Sequence, residues 1–358
     1  MMKPLAIQEV VLTNFKNYPE ARFSLGNKFN LITGLNGIGK TNLLDAIYYL
    51  CVGKSYFTPY DQRVVRLDET FFRLEADVWR DTSHHKVIIK VKPGSLKELI
   101  MDGIMVNRIS EHLGFIPIVF SAPRDIELVT GSSQSRRRYF DHLLCQIDPA
   151  YLKSLMAYNH LLLMRNAALK QGFPDLKRVI QTYDEQMAPH AALIYEKRKW
   201  LVEIFEPLLR QTYLTLSDNK EAVEMHFQSN LHQYPYEVAV DMSWEADKNT
   251  TRSNAGIHKD DYELSIKNIS AREYGSQGQI KSLLFALHLS KYTLLREQSG
   301  YKPLLMLDDI FEKLDERRLH RLMEILTDDS FGQVFISDTD NKRVSKFLLT
   351  EHVQSIEM

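Results

Sequence analysis

The chain has 358 residues, of which 44% are hydrophobic and 25% are charged, and its formal net charge is −1 at pH 7. These values are typical of globular proteins with one large domain or two ordinary ones. No apolar run reaches the ~18 residues that span a bilayer, and the first ten residues hold no apolar secretory core, so we expect a cytoplasmic protein that contacts no membrane. Two cysteines, Cys51 and Cys145, exclude a disulfide framework.

A glycine-rich segment near the N-terminus follows a predicted strand and precedes a predicted helix. Residues 5–14 and 28–33 are the predicted strands, and the segment Gly34-Leu-Asn-Gly-Ile-Gly-Lys-Thr41 comes next. Apolar residues then recur at helical spacing. Strand, glycine-rich loop and helix are the context that a P-loop requires, so we expect this segment to bind ATP.

The chemistry of a P-loop assigns roles to these residues. The glycines let backbone N–H groups turn toward phosphate oxygens, and the helix N-terminus adds its positive dipole end. Lys40 is predicted to reach the β- and γ-phosphates and Thr41 to ligate Mg²⁺. The predicted nucleotide contacts here are Gly34, Asn36, Gly37, Gly39, Lys40, Thr41 and Asn42.

The middle of the chain changes from a strand pattern to a helix pattern. Residues 70–121 predict an antiparallel meander, in which Asp102-Gly103 is a two-residue hairpin turn. Residues 124–217 are mostly helical, 221–229 and 236–241 are possible strands, and 247–254 is a polar loop. We therefore predict an α/β domain formed by residues 1–123 and 254–358, with a mostly helical lobe, residues 124–253, inserted in it.

Two later segments complete the pattern of an ATPase. Leu304-Leu-Met-Leu-Asp-Asp309 predicts a buried strand that ends in Asp308, for a magnesium contact, and Asp309, for orienting or deprotonating the attacking water. Tyr274-Gly-Ser-Gln-Gly-Gln279, the signature segment, places Ser276 and Gly278 at a helix N-terminus. A second anion site in one chain is explained by dimerisation, in which each copy covers the γ-phosphate of the other; the alternative is a plain glycine turn that caps a helix.

These motifs together resemble the RecF family of the ABC/SMC ATPase group, nearly from end to end. The motifs that carry the resemblance are Asn14-Phe-Lys-Asn-Tyr18, the P-loop with its helix to Tyr48, Gly53-Lys-Ser-Tyr56, Val119-Phe-Ser-Ala-Pro-Arg-Asp125, Arg136-Arg-Arg-Tyr-Phe-Asp141, Arg165-Asn166, Gly256-Ile-His-Lys-Asp-Asp261, Ser276-Gln-Gly-Gln279 and Asp308-Asp-Ile-Phe-Glu-Lys-Leu-Asp315. SMC proteins insert long coiled coils at this point, whereas residues 124–253 carry no sustained heptad pattern.

The resemblance implies a two-lobed ABC/SMC-type ATPase head and a function in DNA repair. It implies an ATP-dependent homodimer that clamps duplex DNA near a single-strand gap, independently of sequence, and helps RecO and RecR to load RecA, while slow, DNA-stimulated ATP hydrolysis resets it. The residues implied are Lys40 and Asp309 in catalysis, Thr41 and Asp308 with Mg²⁺, and Lys16, Ser276, Gln277, Gly278, Gln279 and Asp315 as further nucleotide contacts.

Some features depart from the pattern or leave alternatives open. Arg124 stands where the family has an acid, the transporter-type Q-loop glutamine is absent, and Asp338 stands where transporters have a switch histidine. The basic cluster Arg136, Arg137 and Arg138 is interpreted either as a DNA contact or as a fixture of the lobe junction. The alternative functions are a P-loop kinase for a small molecule and an ATP-binding DNA scaffold that does not hydrolyse ATP.

Overall fold

The structure, a computed structural model, describes residues 2–217, 221–309, 316–339 and 353–358. The chain divides into two compact units. The first unit comprises residues 1–125, 216–218 and 281–358, and the second comprises residues 126–215 and 219–280. The first boundary lies close to the predicted one at 123/124. Residues 254–280, which the sequence places in the ATPase domain, group with the second unit instead.

The strands are numbered along the described residues. They are β1 (Leu5–Phe15), β2 (Tyr18–Ser24), β3 (Phe29–Thr33), β4 (Phe72–Arg80), β5 (Ser83–Val91), β6 (Glu98–Met101), β7 (Ile104–Met105), β8 (Ile118–Ser121), β9 (Val223–Gln228), β10 (Asp261–Ile266), β11 (Ile269–Ser270), β12 (Leu304–Asp308), β13 (Val334–Asp338) and β14 (Val353–Glu357).

The α-helices are numbered in the same way. They are α1 (Lys40–Val52), α2 (Glu127–Thr130), α3 (Ser133–Ile147), α4 (Pro149–Gln171), α5 (Leu176–Leu216), α6 (Tyr236–Met242), α7 (Trp244–Thr250), α8 (Ala271–Tyr274), α9 (Gln277–Ser299) and α10 (Glu316–Thr327). None of the helices in the described parts of the chain is both long enough and apolar enough to cross a bilayer.

The first unit holds two sheets with α1 packed against strands of both. One sheet is antiparallel, in the order β2-β1-β4-β5-β6-β7, and the other is parallel, in the order β14-β3-β13-β12-β8. Eleven residues of α1 are buried, on every side of the helix. A helix that is buried all round belongs to the interior, so α1 joins both sheets into one apolar core.

The second unit combines helices α2–α8 with a small sheet in the order β11-β10-β9. Two arginines that are each 1% exposed hold its parts together. Arg165 binds Asp184 and Asp247 at 2.8 and 2.7 Å. Arg198 binds Asp141 and Asp260 at 2.9 and 2.7 Å. Since Asp247 and Asp260 have fully buried side chains, each arginine neutralises a charge that water cannot reach.

The elements predicted from sequence agree with the structure in most places and fail in two. The strand at residues 304–307, the helix that begins near Lys40 and the Asp102-Gly103 turn, with φ values of 52° and 82°, are confirmed. The strand predicted over 236–241 is wrong, because this segment forms α6, with Tyr236, Ala239 and Val240 buried at helical spacing. The loop predicted over 247–254 is also wrong in its first half, which belongs to α7.

Two adjacent residues of α5 test the energetic role of the buried arginines. Arg198→Ala is expected to lower the free energy of unfolding by about 3–5 kcal/mol, because it leaves Asp260 buried without its cation. Lys197→Ala removes an ion pair with Asp148 from a side chain that is 43% exposed, and is expected to cost less than about 1 kcal/mol. Urea unfolding followed by tryptophan fluorescence measures the unfolding free energy of both variants. Equal decreases in the two variants would contradict the structural role of Arg198.

The pH dependence of stability is predicted to reflect His258. Its Nδ1 lies 2.9 Å from Tyr158 Oη and its Nε2 lies 3.0 Å from Ser253 O, so both ring nitrogens have a partner inside the folded protein. Burial, together with Lys259, Arg137 and Arg165, lowers the pKa of His258 to about 4. The unfolded chain takes up this proton near pH 6.5 and the folded chain does not, so stability is lost as pH falls from about 6.5 to about 4.

The size of this loss is up to about 3 kcal/mol, from the difference between the two pKa values. His258→Gln is expected to remove it, so the difference in unfolding free energy between the two proteins should change between pH 7.5 and 4.5. Comparing the two proteins cancels the contributions of Asp184 and Asp260, whose pKa values burial raises. Parallel curves for both proteins would contradict the role of His258.

Candidate functional site

The P-loop leaves β3 and enters α1 with the backbone that the sequence predicts. Gly37 has φ 81° and Gly39 has φ 128°, both in the region that favours glycine. Gly39 is the residue before the first turn of α1. The N–H groups that open this helix therefore lie at the end of a glycine-rich loop, which is the arrangement that binds phosphate in other proteins.

Lys40 folds back over the loop that precedes it. Its Nζ donates to the carbonyl oxygens of Gly34 at 2.7 Å and Leu35 at 3.1 Å, and the residue is 6% exposed. The ammonium group is therefore held at the mouth of the loop by backbone acceptors. Phosphate oxygens are stronger acceptors for it than neutral carbonyls are, so the same position suits a bound anion.

Asp308 meets Thr41 at the carboxyl ends of the parallel strands. The Thr41 hydroxyl lies 3.1 Å from each carboxylate oxygen of Asp308, and Ser337 Oγ donates to Oδ1 at 2.6 Å. The parallel register places Ser337 directly beside Asp308. One hydroxyl and one carboxylate are the protein ligands that Mg²⁺ takes when phosphates complete its shell, so these residues fit the ion.

Asp309 follows Asp308 in a left-handed backbone conformation, with φ 49°. Its N–H donates to Ser337 Oγ at 3.1 Å, so the same serine fixes both acidic residues. A non-glycine residue with this φ stores strain, which is common where a side chain must be aimed at a functional site. Asp315, the last predicted nucleotide contact, lies outside the described residues.

The signature segment opens α9 with a reciprocal capping box. Ser276 N donates to Gln279 Oε1 at 2.8 Å, and Gln279 N donates to Ser276 Oγ at 3.3 Å. Gln279 Nε2 also donates to Glu221 at 2.9 Å. Ser276 and Gln279 therefore cap the N-terminus of α9 in the second unit, and Gln277 and Gly278 are the first two residues of that helix. Contacts of these four residues with a nucleotide stay a prediction.

Lys16 has a protein partner on α1. Its Nζ lies 2.6 Å from the carboxylate of Asp45, which is fully buried. Asp45 also accepts from Ser55 Oγ and from Tyr56 N, both at 2.7 Å. These contacts join the motif at residues 14–18 to α1 and to the motif at residues 53–56, and a nucleotide contact by Lys16 stays a prediction.

The three arginines of the basic cluster lie in different surroundings. Arg136 binds both carboxylate oxygens of Asp261 at 2.8 Å, and Arg137 donates to the carbonyl oxygen of Asp260. Burial lowers the pKa of Arg137. Arg138 is exposed. Both contacts lie within the second unit, so they show a structural role there and do not test the lobe-junction interpretation. A DNA contact by the exposed Arg138 stays a prediction.

The structure brings to this site several residues that the sequence did not predict. Ser337 and Asp45 bind the predicted residues Asp308 and Lys16. Asn17 and Tyr18 contact the P-loop backbone at Ile38 and Gly39. Asn17 and Tyr18 lie in the family-like motif at residues 14–18, so their position in that motif could have identified them. The residues next to Ser337 in the sequence do not indicate its role, which depends on the pairing of β12 with β13.

Comparisons with known proteins identify relatives along the whole chain. A model of the AAA domain family matches residues 9–109. The DNA replication and repair protein RecF of Flavobacterium johnsoniae is 36% identical over 349 residues, which cover 97% of this chain and 97% of that protein. RecF of Cytophaga hutchinsonii is 36% identical over 95% of this chain and 91% of its own length.

Solved structures agree with these relatives. The recombination mediator protein RecF-ATP of the RecFOR pathway superposes with a TM-score of 0.87 at 28% identity, over 95% of this chain and 94% of that one. The Smc head domain derived from Pyrococcus furiosus shares the fold alone, with a TM-score of 0.55 at 15% identity, over 95% of this chain and 91% of that one. The expected ABC/SMC-type fold is confirmed, and the chain belongs to the RecF family.

Proposed function

We propose that this chain is an ATPase that binds and hydrolyses ATP at the P-loop. The observation that carries the proposal is the contact between the Thr41 hydroxyl and the Asp308 carboxylate at 3.1 Å, in a chain of the RecF family. It joins the helix after the P-loop to the acidic end of β12, which is how P-loop ATPases assemble a metal site. Lys40, held at the loop mouth, supplies the positive charge for the phosphates.

Thr41 and Asp308 would hold the Mg²⁺ ion of the substrate complex, and that ion supplies charge neutralisation for the phosphates when bound. Asp309 would accept the proton of the attacking water or orient that water. The Asp309 N–H donates to Ser337 Oγ at 3.1 Å, and this bond holds the Asp309 backbone beside Asp308, the predicted metal ligand. Proton transfer by a positioned carboxylate contributes about 10²–10⁴-fold to a rate.

The proposed activity extends to DNA. We propose that ATP drives two copies together, that the dimer binds duplex DNA near a single-strand gap through its phosphates, and that it helps RecO and RecR to load RecA. The similarity to the solved structure of the recombination mediator RecF-ATP of the RecFOR pathway supports the proposal of these partners. Membership in the RecF family favours this function over the alternative of a small-molecule kinase.

Exposed apolar side chains beside both predicted half-sites support dimerisation. Leu35, in the P-loop, is 79% exposed, and Tyr274, beside the signature segment, is 73% exposed. In the proposed dimer, a second copy that covers the two predicted anion sites would also cover these side chains. A symmetric dimer would have two ATP sites, and each site would combine the P-loop of one copy with the signature segment of the other.

Asp309→Asn is predicted to separate hydrolysis from binding. The amide keeps the size of the side chain and loses its basicity, so phosphate release should fall by at least ~10²-fold while ATP affinity changes less than about twofold. Asp329→Asn, at an exposed acid of the same unit, is the matched control and should leave both unchanged. Unchanged phosphate release by Asp309→Asn would contradict the role of Asp309.

Mixing two inactive variants tests whether the ATP site is shared between copies. Lys40→Met removes the P-loop cation, and Ser276→Arg obstructs the signature segment, so each variant alone should release no phosphate. In their mixed dimer one of the two sites pairs an intact P-loop with an intact signature segment. Random mixing is expected to restore about a quarter of wild-type phosphate release. No recovery in a mixture whose heterodimers are detected by sedimentation would contradict the composite site.

A further inference from the structure

The tip of the hairpin between β1 and β2 lies against the P-loop backbone. Phe15 and Tyr18 pair across the hairpin, so Lys16 and Asn17 form its two-residue turn. Lys16 has φ 50°, a left-handed conformation that tight hairpins require. The Lys16–Asp45 ion pair at 2.6 Å fixes this tip on α1.

Two side chains of the tip donate to consecutive P-loop carbonyls. Asn17 Nδ2 lies 2.8 Å from the carbonyl oxygen of Ile38, and Tyr18 Oη lies 3.1 Å from that of Gly39. Asn42 Nδ2 donates to Asn17 Oδ1 at 2.8 Å, which fixes the orientation of the Asn17 amide. A Cβ on Gly39 would lie 2.7 Å from Asn17 Nδ2 and 2.8 Å from Tyr18 Oη, so both side chains pack directly on this residue and would have to shift to admit a larger one.

These contacts determine where the N–H groups of the loop point. In a trans peptide the carbonyl of one residue and the N–H of the next point in opposite directions. A carbonyl of Ile38 that faces Asn17 therefore turns the Gly39 N–H away from the hairpin. A carbonyl of Gly39 that faces Tyr18 does the same for the Lys40 N–H. Both N–H groups then face the space where a P-loop receives phosphate.

We propose that Asn17 is a positioning residue for the nucleotide, acting through the Ile38–Gly39 peptide, and that Tyr18 is its weaker partner. The inference rests on the proposed function, since it assigns a role at the same ATP site. The two side chains fix the peptides before the nucleotide arrives, and this preorganisation lowers the cost of ordering the loop on binding.

The two donors are expected to differ in importance. The Gly39 carbonyl also accepts from Leu43 N at 3.0 Å, as part of the first turn of α1, so it keeps its direction without Tyr18. The Ile38 carbonyl precedes the helix, and its direction depends on Asn17. Asn17 is exposed, so its truncation removes little packing and should not weaken the fold.

The experiment measures mant-ADP affinity by fluorescence and the thermal midpoint without nucleotide, on the full chain. Asn17→Ala is expected to weaken the affinity for mant-ADP about fivefold, which corresponds to the loss of one hydrogen bond. The thermal midpoint without nucleotide should not change. Tyr18→Phe, which keeps the ring against Phe23, should weaken the affinity less than about twofold. Arg22→Ala, at an exposed residue of the same hairpin, is the control and should match the wild type.

Asn17→Asp provides a second test in about 0.5 M salt, which screens the added charge. The carboxylate still accepts from Asn42 and cannot donate to Ile38, so its affinity should resemble that of Asn17→Ala. Wild-type affinity in both Asn17 variants would overturn the inference, as would a loss of affinity matched by a lower midpoint, which marks a purely structural role. A wild type that binds no mant-ADP would overturn the proposed function instead.

Discussion

The register of three parallel strands determines whether this chain has an ATP site at all. β13 pairs Ser337 with Asp308 of β12 on one side and with Ile32 of β3 on the other. β3 leads into the P-loop and β12 ends at Asp308, so both reach the same edge of the sheet. A slip of one residue would turn Asp308 to the opposite face and break its contact with Thr41. The apolar core around α1 supplies the free energy that prevents such a slip.

The second unit adds a set of buried arginine ion pairs to its apolar packing. Arg136, Arg137 and Arg198 all bind the segment between Ile257 and Asp261. Two of the three arginines predicted as a DNA contact, Arg136 and Arg137, therefore hold this segment against helix α3, and Arg198 holds it against helix α5. Buried ion pairs of this kind add geometric specificity more than net stability, because desolvation offsets much of the Coulomb attraction. The motif at residues 256–261 is thus explained by the architecture of the unit.

Sequence alone predicted the parts of the site whose determinants are local. The P-loop, its strand and its helix follow from glycine positions and hydrophobic spacing over about fifteen residues. The partners of those residues depend on register and on long-range packing: Ser337 reaches Asp308 only because β12 and β13 pair, and Asn17 reaches Ile38 only because the hairpin folds over the loop. Helix α6 was mistaken for a strand because alternation and helical spacing cannot be distinguished in so short an apolar segment.

The capping box of the signature segment bears on why dimerisation would need a nucleotide. The N–H groups of Ser276 and Gln279 are already satisfied within the segment, by Gln279 Oε1 and Ser276 Oγ. A phosphate that used either group would have to displace a hydrogen bond of roughly 1 kcal/mol, so only a strong, charged acceptor gains by the exchange. The first N–H groups of α9, at Gln277 and Gly278, need no such exchange. In the proposed dimer, the γ-phosphate of a second copy would be such an acceptor, so the full set of N–H groups in the segment would be used only when the nucleotide is present.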